Sequence, residues 1–138
     1  MGRILAIDYG KKRSGLAVTD MLRITANPLL TINTNELVAW LKNYFATEQV
    51  DIVVVGHPLQ TNGMDSESMT YIRPFMNTFR QLFPTMPLEE LDERFTSVLA
   101  HRAMIDGGMK KMARRDKTVV DKLAATIILE DYLEAHRS

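Results

Sequence analysis

The chain has 138 residues and a mass of 15.7 kDa, one domain's worth of polypeptide. Its 17 basic and 17 acidic residues give zero formal net charge, and 46% hydrophobic with 25% charged residues excludes a disordered tail or a low-complexity array. No apolar run approaches the roughly 20 residues that span a bilayer, no signal-like segment opens the chain, and zero cysteines exclude a disulfide framework and a thiolate metal site; a cytoplasmic protein without a membrane partner is expected.

Arg3 to Asp8 is an apolar run ending on an acid, the pattern of a strand buried on both faces at the centre of a sheet. Gly15 to Thr19 follows closely enough to pair with it as a hairpin. Ile24 to Ile32 reads as a third strand, which Pro28 confines to a sheet edge. Asn33, Thr34 and Asn35 are candidate N-caps for a helix whose apolar stripe is Leu37, Val38, Leu41, Tyr44 and Phe45. Ile52 to Val55 is a fourth, buried strand running into Gly56-His57-Pro58-Leu59, and Asn62-Gly63 marks a turn. Met69, Ile72, Met76, Phe79 and Phe83 share a helical face, with Pro74 kinking that helix or starting its main part. Leu88 to Glu93 reads as a fifth strand. Thr96 or Ser97 caps a helix ending at Gly107-Gly108, and a last helix spans about Thr118 to His136. The order predicts an α/β fold over residues 1–138: one domain, a mixed five-stranded sheet with helices on both faces. In such sheets, sites form beyond the carboxyl ends of the strands, where Asp8, His57, Asp92 and Glu93 fall.

The charge is unevenly spread. Residues 1–23 hold five bases against two acids, residues 34–93 three bases against nine acids, and residues 94–122 eight bases against three acids. A solvated face and a phosphate-tracking surface both fit the basic blocks. The P-loop, dinucleotide and HExxH zinc signatures are absent.

Three acids stand out. Asp8, followed by Gly10 and then Lys11, Lys12 and Arg13, suits a hard cation with phosphates nearby; it equally suits a turn cap. Asp92 and Glu93 precede Arg94, whose planar fork grips carboxylate or phosphate; as neighbours on a strand they point to opposite faces, so one of them faces any shared site. Asp121 shares a helical stripe with Ala125, Ile128 and Tyr132 and leans toward the sheet, where an acid needs a partner or a metal; an acid in a first helical turn also complements the helix dipole. Three carboxylates gathered at one edge repel unless cations neutralise them, and two Mg²⁺ or Mn²⁺ ions about 3.5–4 Å apart would do so. His57, His101 and His136 read as loop and surface residues, the nine methionines as core filler, and no aromatic stacking platform for an RNA strand is legible.

Several segments together resemble the YqgF family, the Holliday-junction-resolvase-like proteins of the RNase H superfamily. They are Ile7-Asp-Tyr-Gly10 with the following bases, Gly15 to Val18, Val53-Val-Val-Gly-His-Pro-Leu59, Asn62-Gly63, Asp92-Glu-Arg-Phe-Thr-Ser97, and Lys117 to Asp121 with Ala124-Ala125 and Ile127 to Leu129. The resemblance implies an RNase H-like fold, a bacterial cytoplasmic protein, and a metal-dependent nuclease maturing the 5′ end of precursor 16S ribosomal RNA. It carries the acidic positions to Asp8, Glu93 (with Asp92 beside it) and Asp121, and two basic positions to Arg94 and Lys117. Where the family has an aliphatic residue in its VGxP turn, this chain has His57, at the strand end where related resolvases present a carboxylate.

The leading expectation is thus a nuclease in which Asp8, Glu93 and Asp121, with Asp92 adjacent, hold two metal ions. Lys11, Lys12, Arg13, Arg94, Lys110, Lys111, Arg114, Arg115 and Lys117 are its candidate nucleic-acid contacts. Cutting four-way DNA junctions uses the same residues, and a catalytically idle nucleic-acid-binding or transcription factor would keep only the bases. A sugar-kinase or actin-like ATPase needs a second such domain to enclose nucleotide.

Overall fold

In the computed structural model, residues 2–57, 69–92 and 117–136 are described. Five strands form one sheet: β1 (Arg3–Asp8), β2 (Arg13–Thr19), β3 (Ala26–Asn33), β4 (Val50–His57) and β5 (Leu88–Asp92), in the order β3-β2-β1-β4-β5. β1 lies at the centre, as its unbroken apolar run predicts, with Ile4 to Ile7 buried. β2 pairs antiparallel with β1 and β3 with β2, whereas β4 and β5 run parallel to β1. β3 is an edge strand, and the register shifts between Leu16 and Ala17, opposite the stretch that holds Pro28.

The strand alternation sorts the core into two layers. Leu5, Ile7, Leu16, Val53 and Val55 face α1 (Leu37–Thr47) and α2 (Met69–Leu82), which contribute Leu37, Leu41, Ile72, Phe75 and Phe79. Ile4, Ala6, Ala17, Val54 and Leu91 face α3 (Lys117–Ala135), which contributes Ala125, Ile128, Leu129, Tyr132 and Leu133. Small residues on both partners of the second layer, Ala6 and Ala17 against Ala125, let α3 approach the sheet closely.

Two local expectations are corrected. Asn33, Thr34 and Asn35 do not cap a helix through their side chains; Thr34–Glu36 forms a 3₁₀ turn ahead of α1, and the Thr34 hydroxyl instead bonds a distant loop. Of the two alternatives for Pro74, it does not start α2 but sits inside it, past the first turn, where it has no N–H to bond the carbonyl one turn earlier. The expected helix from Thr96 or Ser97 to Gly107-Gly108 lies outside the described residues.

Candidate active site at the carboxyl edge of the sheet

β1, β4 and β5 are parallel, so their carboxyl ends share one edge: Ile7 is level with Val55, and His57 with Asp92. Asp8 closes β1 there, half-buried and paired across the ladder with Gly15, a residue that adds no side chain beside it. Ile4 and Ala6 face α3, and Asp8 continues their alternation onto the same face.

α3 runs antiparallel to β1. Its far end lies by the start of β1, where Tyr132 and Leu133 line a pocket with Ile4 and Ile52, and the Tyr132 hydroxyl donates to the Glu89 carboxylate of β5. From position 132 back to position 121 the helix rises about 16 Å, and from Ile4 to Asp8 the strand advances about 13 Å. The first turns of α3 therefore come level with Asp8. Asp121 sits one turn before the buried Ala125.

The remaining predicted residues divide into two groups. His57, Asp92, Lys117 and Asp121 are placed in β4, β5 and α3, but their side chains lie outside the described residues. Glu93, Arg94, Lys110, Lys111, Arg114 and Arg115 lie outside them altogether. Among the described residues no three His, Asp or Glu side chains come together as a metal site.

The basic turn between β1 and β2 is firmly held. The Thr34 hydroxyl donates to the Gly10 carbonyl at 2.7 Å and lies 2.9 Å from the buried Ser14 hydroxyl. The Thr34 N–H donates to the Lys12 carbonyl at 2.9 Å. Gly10 is required by close approach: a Cβ there would collide with the Arg13 carbonyl. Lys11 and Lys12 stand exposed on this turn.

Tyr9, next to Asp8, points to the other face. Its ring stacks on Phe75 at 4.3 Å between centroids and lies 6.0 Å from Tyr71, tilted by 38°. Burial, and secondarily the Tyr71 phenol beside it, push the Tyr9 phenol above its usual pKa, so it stays neutral and protonated. The sequence reading missed this cluster because its rings come from separate segments. Tyr71 and Phe75, four apart on α2, were the available signal.

A three-stranded antiparallel meander continued by two parallel strands, with helices on both faces, is an RNase H-like architecture. The chain is similar to Thermus thermophilus RuvC solved in complex with a Holliday junction substrate, at a TM-score of 0.53 and 16% identity over 100% of this chain and 98% of that one. That likeness carries the fold. The family model described as RuvX, Holliday junction resolvase, matches residues 2–135, and the chain belongs to this family. A relative from Phocaeicola vulgatus bearing the name "Putative pre-16S rRNA nuclease" is 54% identical over 137 residues, 99% of each chain. One of the same name from Porphyromonas gingivalis is 52% identical over 134 residues, 97% of each. Among the described residues no helix is long and apolar enough to cross a membrane.

Proposed function

We propose that residues 1–138 act as one nuclease domain, dependent on Mg²⁺ or Mn²⁺, that cuts precursor 16S ribosomal RNA in the bacterial cytoplasm, with Asp8, Glu93 and Asp121 as the metal-holding acids. The observation that carries this reading is the convergence of the carboxyl ends of β1, β4 and β5 at one edge, with Asp8 on the face that α3 covers. Strand parity favours Glu93 over Asp92. Glu89 and Leu91 meet α3, whereas Leu88 and Glu90 meet the α1–α2 side, and position 93 has the parity of the first pair. Helical spacing from Ala125 and the antiparallel run of α3 support Asp121.

Carboxylate oxygens with no thiol in the chain suit hard divalent ions. Two such ions, when bound, supply an activated water and stabilisation of the leaving oxygen. The chain's own residues do the rest. Asp8 presents its carboxylate where a phosphodiester laid along the carboxyl edge would meet it. Lys11, Lys12 and Arg13, together with Arg94, Lys110, Lys111, Arg114, Arg115 and Lys117, hold the strand by its phosphates. No side chain in this set needs to act as nucleophile.

The names of the relatives support ribosomal RNA as the substrate. The family description and the RuvC likeness favour a second reading, cleavage of four-way DNA junctions. The test offers both substrates, a precursor 16S leader and a synthetic four-way junction, to the wild type and to Asp8→Asn in Mn²⁺. Cleavage of the leader by the wild type alone supports the first reading, and cleavage of the junction alone the second. Equal cleavage by both proteins overturns the assignment of Asp8.

A further inference from the structure

Beside the basic turn, on the face of the sheet away from α3, an open groove of about 390 Å³ runs between the start of α1 and the outer surface of α2. That volume lies in the range of small-ligand sites. Its floor is aromatic, built from Tyr9, Tyr71 and Phe75, and its walls carry Pro74 and the hydroxyls of Thr34 and Thr78. Among the described residues that line it, none is charged.

Two features tell what would fit there. The first is continuity with the proposed site: Tyr9 follows Asp8 directly, so the groove opens on the same strand end as the carboxylate but across the sheet. The second is charge. Thr34, a wall of the groove, bonds both the Gly10 carbonyl and the Lys12 carbonyl, which pins the turn bearing the exposed Lys11 and Lys12 against that wall. A neutral, aromatic-floored groove, with a turn that bears two exposed lysines held against its wall, matches a planar base joined to a phosphate. Stacking on aromatic rings is tolerant of base identity, and a base already stacked inside a duplex cannot enter.

We propose that this groove is a subsite for one unpaired nucleobase flanking the bond to be cut, with Tyr71 and Tyr9 as the stacking residues and Lys11 and Lys12 on the adjoining phosphate. The proposal rests on the nuclease reading for the identity of its ligand. It gives the protein a means of preferring substrates that are single-stranded beside the cleavage point. Asp8 and the subsite then engage the same strand from opposite faces of the sheet.

The test uses the full chain in EDTA, so that no cleavage intervenes, with single strands of RNA and of DNA carrying one 2-aminopurine. Wild type and Tyr71→Phe are expected to bind and to quench the fluorophore. Tyr71→Ala is expected to bind about 10-fold more weakly, with the quenching lost, in keeping with the value of one base–aromatic stack. A second variant, Thr78→Glu, removes no ring and no core contact, lies on the exposed side of α2, and is expected to weaken binding through its charge. A fully paired duplex of the same sequence is expected to show no quenching. Quenching by RNA alone assigns the subsite to a ribose-bearing strand, and quenching by both assigns it to unpaired strands generally; either supports it. Unchanged affinity and quenching in Tyr71→Ala and Thr78→Glu would overturn it. If strands quench normally but nothing is cleaved in Mn²⁺, the nuclease reading fails and the subsite stands. Intact cleavage with no effect of either variant on binding fails the subsite alone.

Discussion

The two ends of the sheet are built on opposite principles. At the amino end several described polar groups pair with one another. The Asp51 carboxylate accepts from the Gly2 N–H at 2.7 Å and from Arg23 at 2.8 Å, and Arg23 also donates to the Gly2 carbonyl at 2.9 Å. Arg23 holds this fork from a left-handed backbone, φ 58°, a conformation that costs a non-glycine residue about 1–2 kcal/mol. Tyr132 and Leu133 of α3 come to the same end, beside Ile4 and Arg23. At the carboxyl end, by contrast, two exposed lysines stand on a turn braced from behind by Ser14 and Thr34, beside an open aromatic groove. One end ties the chain's segments to one another, and the other leaves its lysines and a groove exposed.

That contrast can be broken by substitution. Asp8→Asn is expected to lower Mn²⁺-dependent cleavage by at least the roughly 10–100-fold that follows loss of an outer partner of a metal site, with little change in melting temperature; a matching loss of stability would make Asp8 structural. Arg23→Ala removes two charge-assisted bonds at the other end, to the Gly2 carbonyl and the Asp51 carboxylate. It is expected to cost about 1.5–3 kcal/mol in denaturant unfolding while leaving kcat of the folded protein unchanged. Gly10→Ala forces the basic turn off the Arg13 carbonyl and is expected to cost about 1–3 kcal/mol and to weaken nucleic-acid affinity as well, because the same turn carries Lys11 and Lys12.

The smallest effects are those of pH, and they sharpen the amino end. Burial, then the Glu89 carboxylate it bonds, push the Tyr132 phenol up to about 12. A folded value above the unfolded one of about 10 gives stability that is complete below pH 10 and lost as pH rises toward 12. Tyr132→Phe is expected to flatten that alkaline loss in pH-dependent melts. The Gly2 N–H first, and Arg23 after it, hold the Asp51 carboxyl below its usual range. Its contribution is present above about pH 4 and fades as pH falls, so Asp51→Asn is expected to shallow the acid limb slightly.

Much of this division was legible in the sequence. The apolar run Ile4 to Ile7 in β1 announced a central strand, and Pro28 announced the edge. The stripe through Ala125, Ile128 and Tyr132 announced the helix face that meets the sheet. These are local signals, because burial on a strand or helix writes its period into the nearby residues. What was not legible depended on contacts far apart in the chain. Thr34 looked like a helix cap, yet its hydroxyl is taken by Gly10, 24 residues earlier. The aromatic floor joins Tyr9 to Tyr71 and Phe75 across the β1–α2 packing, and no window of sequence contains it. The parity of β5 likewise needed the sheet: Glu89 and Leu91 meet α3, whereas Leu88 and Glu90 meet the other side.

The central claim is that Asp8, Glu93 and Asp121 share divalent ions at the carboxyl edge. The most direct measurement is an anomalous-difference map from a crystal of the protein soaked in Mn²⁺. Peaks coordinated by the Asp8 carboxylate together with those of Glu93 and Asp121 are expected. Mn²⁺ bound elsewhere, with these three side chains too far apart to ligate a common pair of ions, would contradict the account.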